Sequence, residues 1–177
     1  RLHHRLHAVD QRRAAYVLTA GMAYAILAFD GTDEGAPARR AAARDAHVAF
    51  ITGEASAGRL ALGLPLHDEA GRGLGSLMFV DAPDRTGLDA YLAGEPFARP
   101  EVWQRREIFD FRIAPLPYAP WPAPGSAVPA SRSHTVVVAM DGRDEGAEAR
   151  RLAARPRHFA RVRAFAEEGL LTFGGVI

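Results

Sequence analysis

The sequence predicts an α+β fold, and three features of the chain lead to this prediction. Short apolar segments with the length and alternation of strands are interleaved with two segments that have helical spacing. Turn-forming residues separate these segments. One stretch of the chain also occurs twice, which predicts a complete unit followed by the beginning of a second one.

The repeated stretch covers residues 30–66 and 141–177, which align without a gap at a constant offset of 111 positions. Both copies begin with Asp-Gly-x-Asp-Glu-Gly and continue with arginines and a histidine, His47 in the first copy and His158 in the second. A unit of roughly 110 residues is close to the commonest domain size. We therefore expect four parts, namely a disordered N-terminal extension (1–21), a complete domain (22–113), a proline-rich linker (114–133) and an incomplete second repeat (134–177).

The first half of the complete domain is predicted to form a strand, a helix and a second strand. Ala23–Phe29 is short, apolar and followed by the turn-forming pair Asp30-Gly31. The spacing predicts a helix over 37–57, with an apolar face at positions 43, 47, 50 and 51 and a stop at Gly58. Leucine alternates through 59–66, as in a half-buried strand.

The second half reads as strand, helix and strand again. Leu74–Val80 is the return strand of a hairpin, Asp84 caps a short helix that ends at Gly94, and 103–113 is the last strand. The order β-α-β-β-α-β is the split βαβ pattern of ferredoxin-like folds, for which we expect the strand order 4-1-3-2 with both helices on one face.

In the second repeat the same reading predicts a strand at His134–Met140, a helix over 147–168 and a strand at Leu170–Val176. About 44 residues is near the size at which a core cannot sustain itself. We therefore expect this segment to dock on the first domain or to remain loosely ordered.

The composition excludes several classes of protein. A net charge of +1 and 48% hydrophobic residues give no support for an electrostatic binder of nucleic acid or membranes. The absence of cysteine excludes disulfides, a thiolate nucleophile and cysteine-ligated zinc, and it favours the cytoplasm. No dinucleotide fingerprint, P-loop, nucleophile elbow or His-Glu-x-x-His helix is present.

His47 is the first candidate for chemistry. It lies on the apolar face of the predicted helix, where one interpretation is a core histidine bonded to a carbonyl. The other interpretation is a proton-transfer group, because imidazole is the side chain that titrates closest to neutral pH.

Asp68, after the second strand, is the candidate carboxylate for orienting His47, although a turn aspartate that bonds its own backbone fits equally well. Arg44 could hold a substrate anion, although helical arginines are commonly solvated. Tyr24 and Ser76 are the other candidate substrate-binding residues, and His158 and Arg155 are the second-copy counterparts of His47 and Arg44.

Several short motifs together resemble the YCII-related family. They are the opening MAYAILAFD, the helix motif Arg44-Asp-Ala-His47, GLPLHDEAG, GLGSLMFVDAPD and the loop Glu95-Pro96-Phe97-Ala98. The resemblance implies a ferredoxin-like domain that pairs two sheets into a dimeric α/β barrel, and some family members are chloromuconolactone dehalogenases. It also implies that His47 and Asp68 occupy the active-site positions. Glu95 departs from the family pattern, in which aspartate is commoner.

Two functions from different classes follow. In one, the protein is a small enzyme in which a His47–Asp68 pair performs general acid–base chemistry on a carbonyl, lactone or carboxylate substrate, as an isomerase or lyase that requires no metal or organic cofactor. In the other, it is a non-catalytic ligand-binding or dimerisation module. The expected partners are a small-molecule ligand and either a second copy in a homodimer or, in a full-length form, an intramolecular pseudo-dimer.

Overall fold

The computed structural model describes residues 22–99, 101–120 and 133–177. The elements are β1 (Met22–Asp30), α1 (Ala36–Ser56), β2 (Leu60–His67), β3 (Gly73–Ala82), α2 (Arg85–Gly94), a 3-10 turn (Pro96–Ala98), β4 (Trp103–Ile113), α3 (Ala147–Glu167) and β5 (Gly175–Val176). The extension predicted for 1–21 and most of the predicted linker lie outside the described residues. Among the helices described, none combines the length and apolarity needed to cross a membrane.

The described residues form two compact units. One contains 22–113 together with 175–177, and the other contains 114–174. In the first unit, β1 lies at the centre of the sheet, between β3 and β4, and β2 pairs with the outer side of β3. All these pairings are antiparallel, and the short β5 extends the sheet at the free edge of β4. The predicted strand order 4-1-3-2 is therefore confirmed, with one strand added.

The core lies on one face of this sheet, where both α1 and α2 pack. Ile26 of β1, Met78 of β3 and Leu88 of α2 are almost completely buried in one cluster. Ala43, Phe50 and Ile51 of α1 pack against the same cluster, as the helical spacing predicted, and Ala55 does so as well. The α+β class and the ferredoxin-like order of elements are thus observed.

The turn before α1 is held by an aspartate–arginine pair. Asp33 accepts hydrogen bonds from the backbone N–H of Gly35 at 3.0 Å and from both terminal nitrogens of Arg39, at 2.8 and 2.6 Å. In the other unit, Asp144 accepts the corresponding bonds from Gly146 and from Arg150 before α3. Helices α1 and α3 also begin and end at positions that correspond in the repeat. The same local sequence therefore produces the same local structure twice.

The strands predicted for the second repeat differ from this pattern. Residues 134–140 form no strand and are exposed, and of Leu170–Val176 only Gly175 and Val176 are in a strand, paired with β4. In the first unit the matching segment β1 is hydrogen-bonded on both sides, to β3 and to β4. Residues 133–174 contain no strand, so no such edges are available there, and the predicted strands were wrong for this reason.

Gly75 is the position where the sheet requires glycine. Its φ is +152°, and a Cβ atom built on it would lie 1.9 Å from the carbonyl oxygen of Ala28 on the neighbouring strand. That contact is to backbone, so a side chain can be accommodated only if the paired strands separate. Gly73, in the same strand, has no atom within 4 Å of its Cβ position.

These two glycines provide a matched test of the sheet. We expect Gly75→Ala to lower the free energy of unfolding by at least about 2 kcal/mol, because it adds both strain and a backbone clash. Gly73→Ala should change it by less than about 1 kcal/mol. Chemical denaturation of the two variants measures the difference, and equal midpoints would contradict the register of β1 and β3.

The Asp33–Arg39 pair predicts a local dependence on pH. The hydrogen bond from Arg39 lowers the pKa of Asp33 to about 2, and Arg150 lowers the pKa of Asp144 in the same way. Because the folded pKa is depressed, stabilisation by the pair is complete above the ordinary pKa of 3.8 and is lost as the pH falls toward about 2.

Carboxyl-carbon NMR titration measures this directly. In the Arg39→Gln variant the Asp33 midpoint should rise toward its ordinary value while that of Asp144 stays low, and Arg150→Gln should give the reverse. An Asp33 midpoint that does not respond to Arg39→Gln would show that the pair is not formed in solution.

Candidate functional site

His47 lies in the middle of α1, on the side of the helix that faces the core, and only 8% of its surface is exposed to solvent. Nδ1 lies 2.7 Å from Oε1 of Glu95, whose side chain is completely buried. Nε2 has no hydrogen-bond partner among the described residues, and it is not one of the fully buried unpartnered atoms. The carboxylate therefore occupies one ring nitrogen and leaves the other without a partner among the described residues.

Glu95 is held by the backbone around it. It follows the last residue of α2, and its own N–H donates to the carbonyl of Tyr91 at 3.1 Å. Its Oε1 also accepts from the backbone N–H of Phe97 at 2.9 Å, which caps the 3-10 turn. Since two donors converge on one oxygen, the carboxylate has a defined position before any ligand is present.

Two aromatic rings fix the plane of the imidazole. Phe97 stacks on His47, with 3.9 Å between ring centroids and an angle of 11° between the planes. Trp103, the first residue of β4, meets the imidazole edge-on at 6.2 Å. The packing limits rotation of the ring, so the orientation of Nε2 is set by the fold.

Arg40 lies about two helical turns before His47 on α1 and also contacts Phe97, with its guanidinium carbon 4.5 Å from the ring centroid. Its terminal nitrogens donate to the carboxylate of Asp30 at 2.8 and 2.9 Å and to the hydroxyl of Ser76 at 3.1 Å. A weaker bond reaches the carbonyl of Gly75. Most of the donors of Arg40 are thus already used, so this residue positions Phe97 and joins α1 to the sheet.

Three polar atoms around the His47–Glu95 bond are buried and have no hydrogen-bond partner in the described part of the chain. They are Oε2 of Glu95, the hydroxyl of Tyr91 and Nε1 of Trp103. Burial, and after it the negative charge of Glu95, raises the pKa of the Tyr91 hydroxyl well above its usual value. Each unsatisfied group costs about 1–3 kcal/mol, so this cluster lowers the stability of the fold.

The predicted carboxylate Asp68 lies elsewhere. It follows β2 in the hairpin turn, where its oxygens accept from the backbone N–H and the guanidinium of Arg72, at 2.9 and 2.7 Å. These bonds lower the pKa of Asp68. The carboxylate that bonds His47 is that of Glu95 rather than Asp68, because the middle of α1 faces the α2–β4 connection and not the tip of the β2–β3 hairpin.

The other predicted residues are distributed between the core and the surface. Tyr24 is buried in the main cluster, and Ser76 is buried beside Arg40. Arg44 is exposed, and its side chain makes no hydrogen bond or ion pair among the residues described. His158 and Arg155 are exposed on α3.

The residue that the sequence prediction missed as the partner of His47 is Glu95. The sequence does contain a signal for it, since an acidic residue followed by Pro-Phe directly after a helix end is typical of a side chain that caps the next turn. Its spatial partner lies 48 residues earlier in the chain, which no local pattern indicates.

Neither of the two surface grooves described for the chain is lined by His47 or Glu95. Within the described ranges, no group of three His, Asp or Glu side chains comes together in a way that could hold a metal ion.

Comparison with known proteins gives two matches of different strength. The model of the YCII-related domain matches residues 22–112, which is just over half of the chain. Among solved structures, the chain is similar to the 5-chloro-2-hydroxyhydroquinone dehydrochlorinase of Burkholderia phenoliruptrix AC1100, in complex with 2,5-dihydroxybenzoquinone. That match has 14% sequence identity and a TM-score of 0.45, and it covers 52% of this chain and 96% of the other.

No curated protein matches the chain at a significant level. The extent of the family match nevertheless decides the assignment, because it includes every element from β1 to β4 and the whole His47–Glu95 site. Through residues 22–112, the chain belongs to the YCII-related domain family.

Proposed function

We propose that the protein is a small enzyme in which His47 performs general acid–base chemistry on a carbonyl, lactone or carboxylate substrate. The observation that supports this most strongly is the 2.7 Å bond between His47 and a completely buried carboxylate. An acid in this position keeps a proton on Nδ1 and stabilises the imidazolium that forms when Nε2 accepts a second proton. Glu95 therefore has the role of a positioning residue.

The reaction requires a single proton transfer to begin. Nε2 of His47 removes a proton from the carbon next to a carbonyl, and the electron pair of the C–H bond moves into the substrate. If the proton returns to another atom of the substrate, the reaction is an isomerisation. If a halide leaves with its bonding electrons instead, the reaction is an elimination, as in a lyase. Neither route requires a cofactor.

The unfavourable free energy of burying polar groups at this site also supports a catalytic role. A histidine that only fills the core could be satisfied by one backbone carbonyl, without a buried carboxylate beside it. Here the fold retains a buried charge and three unpartnered polar atoms in one region. Such groups destabilise a protein, and their concentration in one place is typical of functional sites.

A second candidate function is a non-catalytic binding or dimerisation module. Two observations favour it: Phe97 stacks on the His47 ring, and neither described groove is lined by His47. A second copy of the chain, in a homodimer, would then supply the wall that closes the site. The two functions differ in one property, because only the enzyme needs the proton on His47 to move.

We also propose that residues 134–177 are the first half of a second YCII-like unit. The gapless repeat, the matching limits of α1 and α3, and the two equivalent aspartate–arginine pairs support this. In this proposal His158 and Arg155 are the counterparts of His47 and Arg44.

The direct test is a screen of small lactones, carbonyl compounds and carboxylates for turnover, followed by substitution of His47. His47→Gln is the informative change, since an amide retains a hydrogen bond to Glu95 but cannot exchange a proton. We expect turnover to fall by about 10²–10⁴-fold, with the fold intact by circular dichroism. His67→Ala, an exposed histidine at the end of β2, is the control and should leave turnover unchanged. A fully active His47→Gln variant would leave His47 as a packed core histidine.

Glu95→Gln tests the positioning role separately. We expect kcat to fall by about 10²-fold or more with little change in KM, because a neutral amide stabilises the imidazolium less than a carboxylate does. Proton NMR provides an independent readout, since the Nδ1 proton resonance should move upfield when the acceptor loses its charge. If that resonance moves while kcat remains constant, the bond serves only the fold.

A further inference from the structure

A groove of about 560 Å³ lies on the helical side of the first unit, between α2, the segment after the 3-10 turn and β4. Its apolar floor includes Leu92 and Ile108. The charged side chains at its walls are those of Arg85, Asp89, Arg99 and Arg106. His47 and Glu95 do not line it, so it is separate from the site described above.

The charges in this groove are unbalanced, since three guanidinium groups face one carboxylate. The Arg85–Asp89 pair is exposed and its atoms are 3.2 Å apart, which makes it a weak pair. Arg106 uses one nitrogen to donate to the carbonyl of Ala98 at 3.1 Å. The side chain of Arg99 makes no hydrogen bond or ion pair with any of the residues described.

We propose that this groove is a binding site for a small organic carboxylate with an apolar body. The planar guanidinium of Arg99 matches a carboxylate with two parallel hydrogen bonds, and Arg106 retains free donors on the same side. Leu92 and Ile108 provide an apolar surface that a fully hydrated inorganic anion could not use. The volume is within the range of about 300–1,000 Å³ that is typical of small-molecule sites.

A charged ligand and a neutral ligand of the same shape test the two parts of this proposal separately. Benzoate should bind saturably to the intact chain by isothermal titration calorimetry or by backbone amide NMR, with shifts at Leu92, Arg99 and Ile108. Benzamide, which has the same shape without the charge, should bind at least about tenfold more weakly. No saturation by benzoate up to about 50 mM, or equal binding of benzamide, would overturn the proposal.

Two substitutions with opposite expected effects locate the ligand. Arg99→Gln should weaken benzoate binding by about tenfold, since it removes a charge-assisted contact. Asp89→Asn should strengthen binding several-fold, because it removes the negative charge of the groove and releases Arg85. Arg112→Gln is the matched control, since it removes the same charge from an exposed position of β4 outside the groove.

The outcomes decide between a site and general attraction to a basic surface. An Arg99→Gln variant that binds benzoate no more weakly than the Arg112→Gln variant would show that the groove is not the binding site. Folding of each variant is verified by its amide NMR spectrum. Because the measurement is binding and not turnover, it does not depend on the function proposed for His47.

Discussion

The bond between His47 and Glu95 is the constraint on which the rest of the first unit depends. A carboxylate without solvent exposure is costly unless it is paired, so the fold must bring a donor to it. The donor comes from the middle of α1 and the acceptor from the end of α2, and both helices also pack on the apolar core. The bond therefore joins the middle of α1 to the segment that leads into β4.

The aromatic and charged residues around this bond act as one assembly. Phe97 contacts both His47 and Arg40, and Arg40 in turn binds Asp30 at the end of β1. A shift of any one of these side chains would expose a polar group of another or remove its hydrogen-bond partner. The assembly also retains unpartnered atoms on Glu95, Tyr91 and Trp103, which lower stability. Within the described part of the chain, the buried polar atoms without a partner are concentrated in this assembly, which is typical of a site that serves function.

The two copies of the repeated stretch show which elements depend on local sequence alone and which depend on contacts with distant segments. The turn before α1 and the helix itself recur at α3. The hydrogen bonds of the turn are the same in both places, because all the groups involved lie within a few residues of one another. The first strand does not recur and the second is reduced to Gly175 and Val176, because a strand is stable only when another segment satisfies its backbone groups. The apolar residues at 136–138 are exposed for this reason, although their sequence is as typical of a strand as that of β1.

The sequence by itself determined the class, the order of elements and the strand order, since periodicity, turn residues and capping residues are local signals. It also identified His47, because a histidine on the apolar face of a helix is visible from spacing alone. The partner of His47, the aromatic support and the role of Arg40 were decided only by the tertiary structure. Each of them depends on contacts between residues tens of positions apart, such as the 48 residues between His47 and Glu95. Asp68 and Glu95 are both acids beyond the end of an element, and only the packing of α1 against the α2–β4 connection distinguishes them.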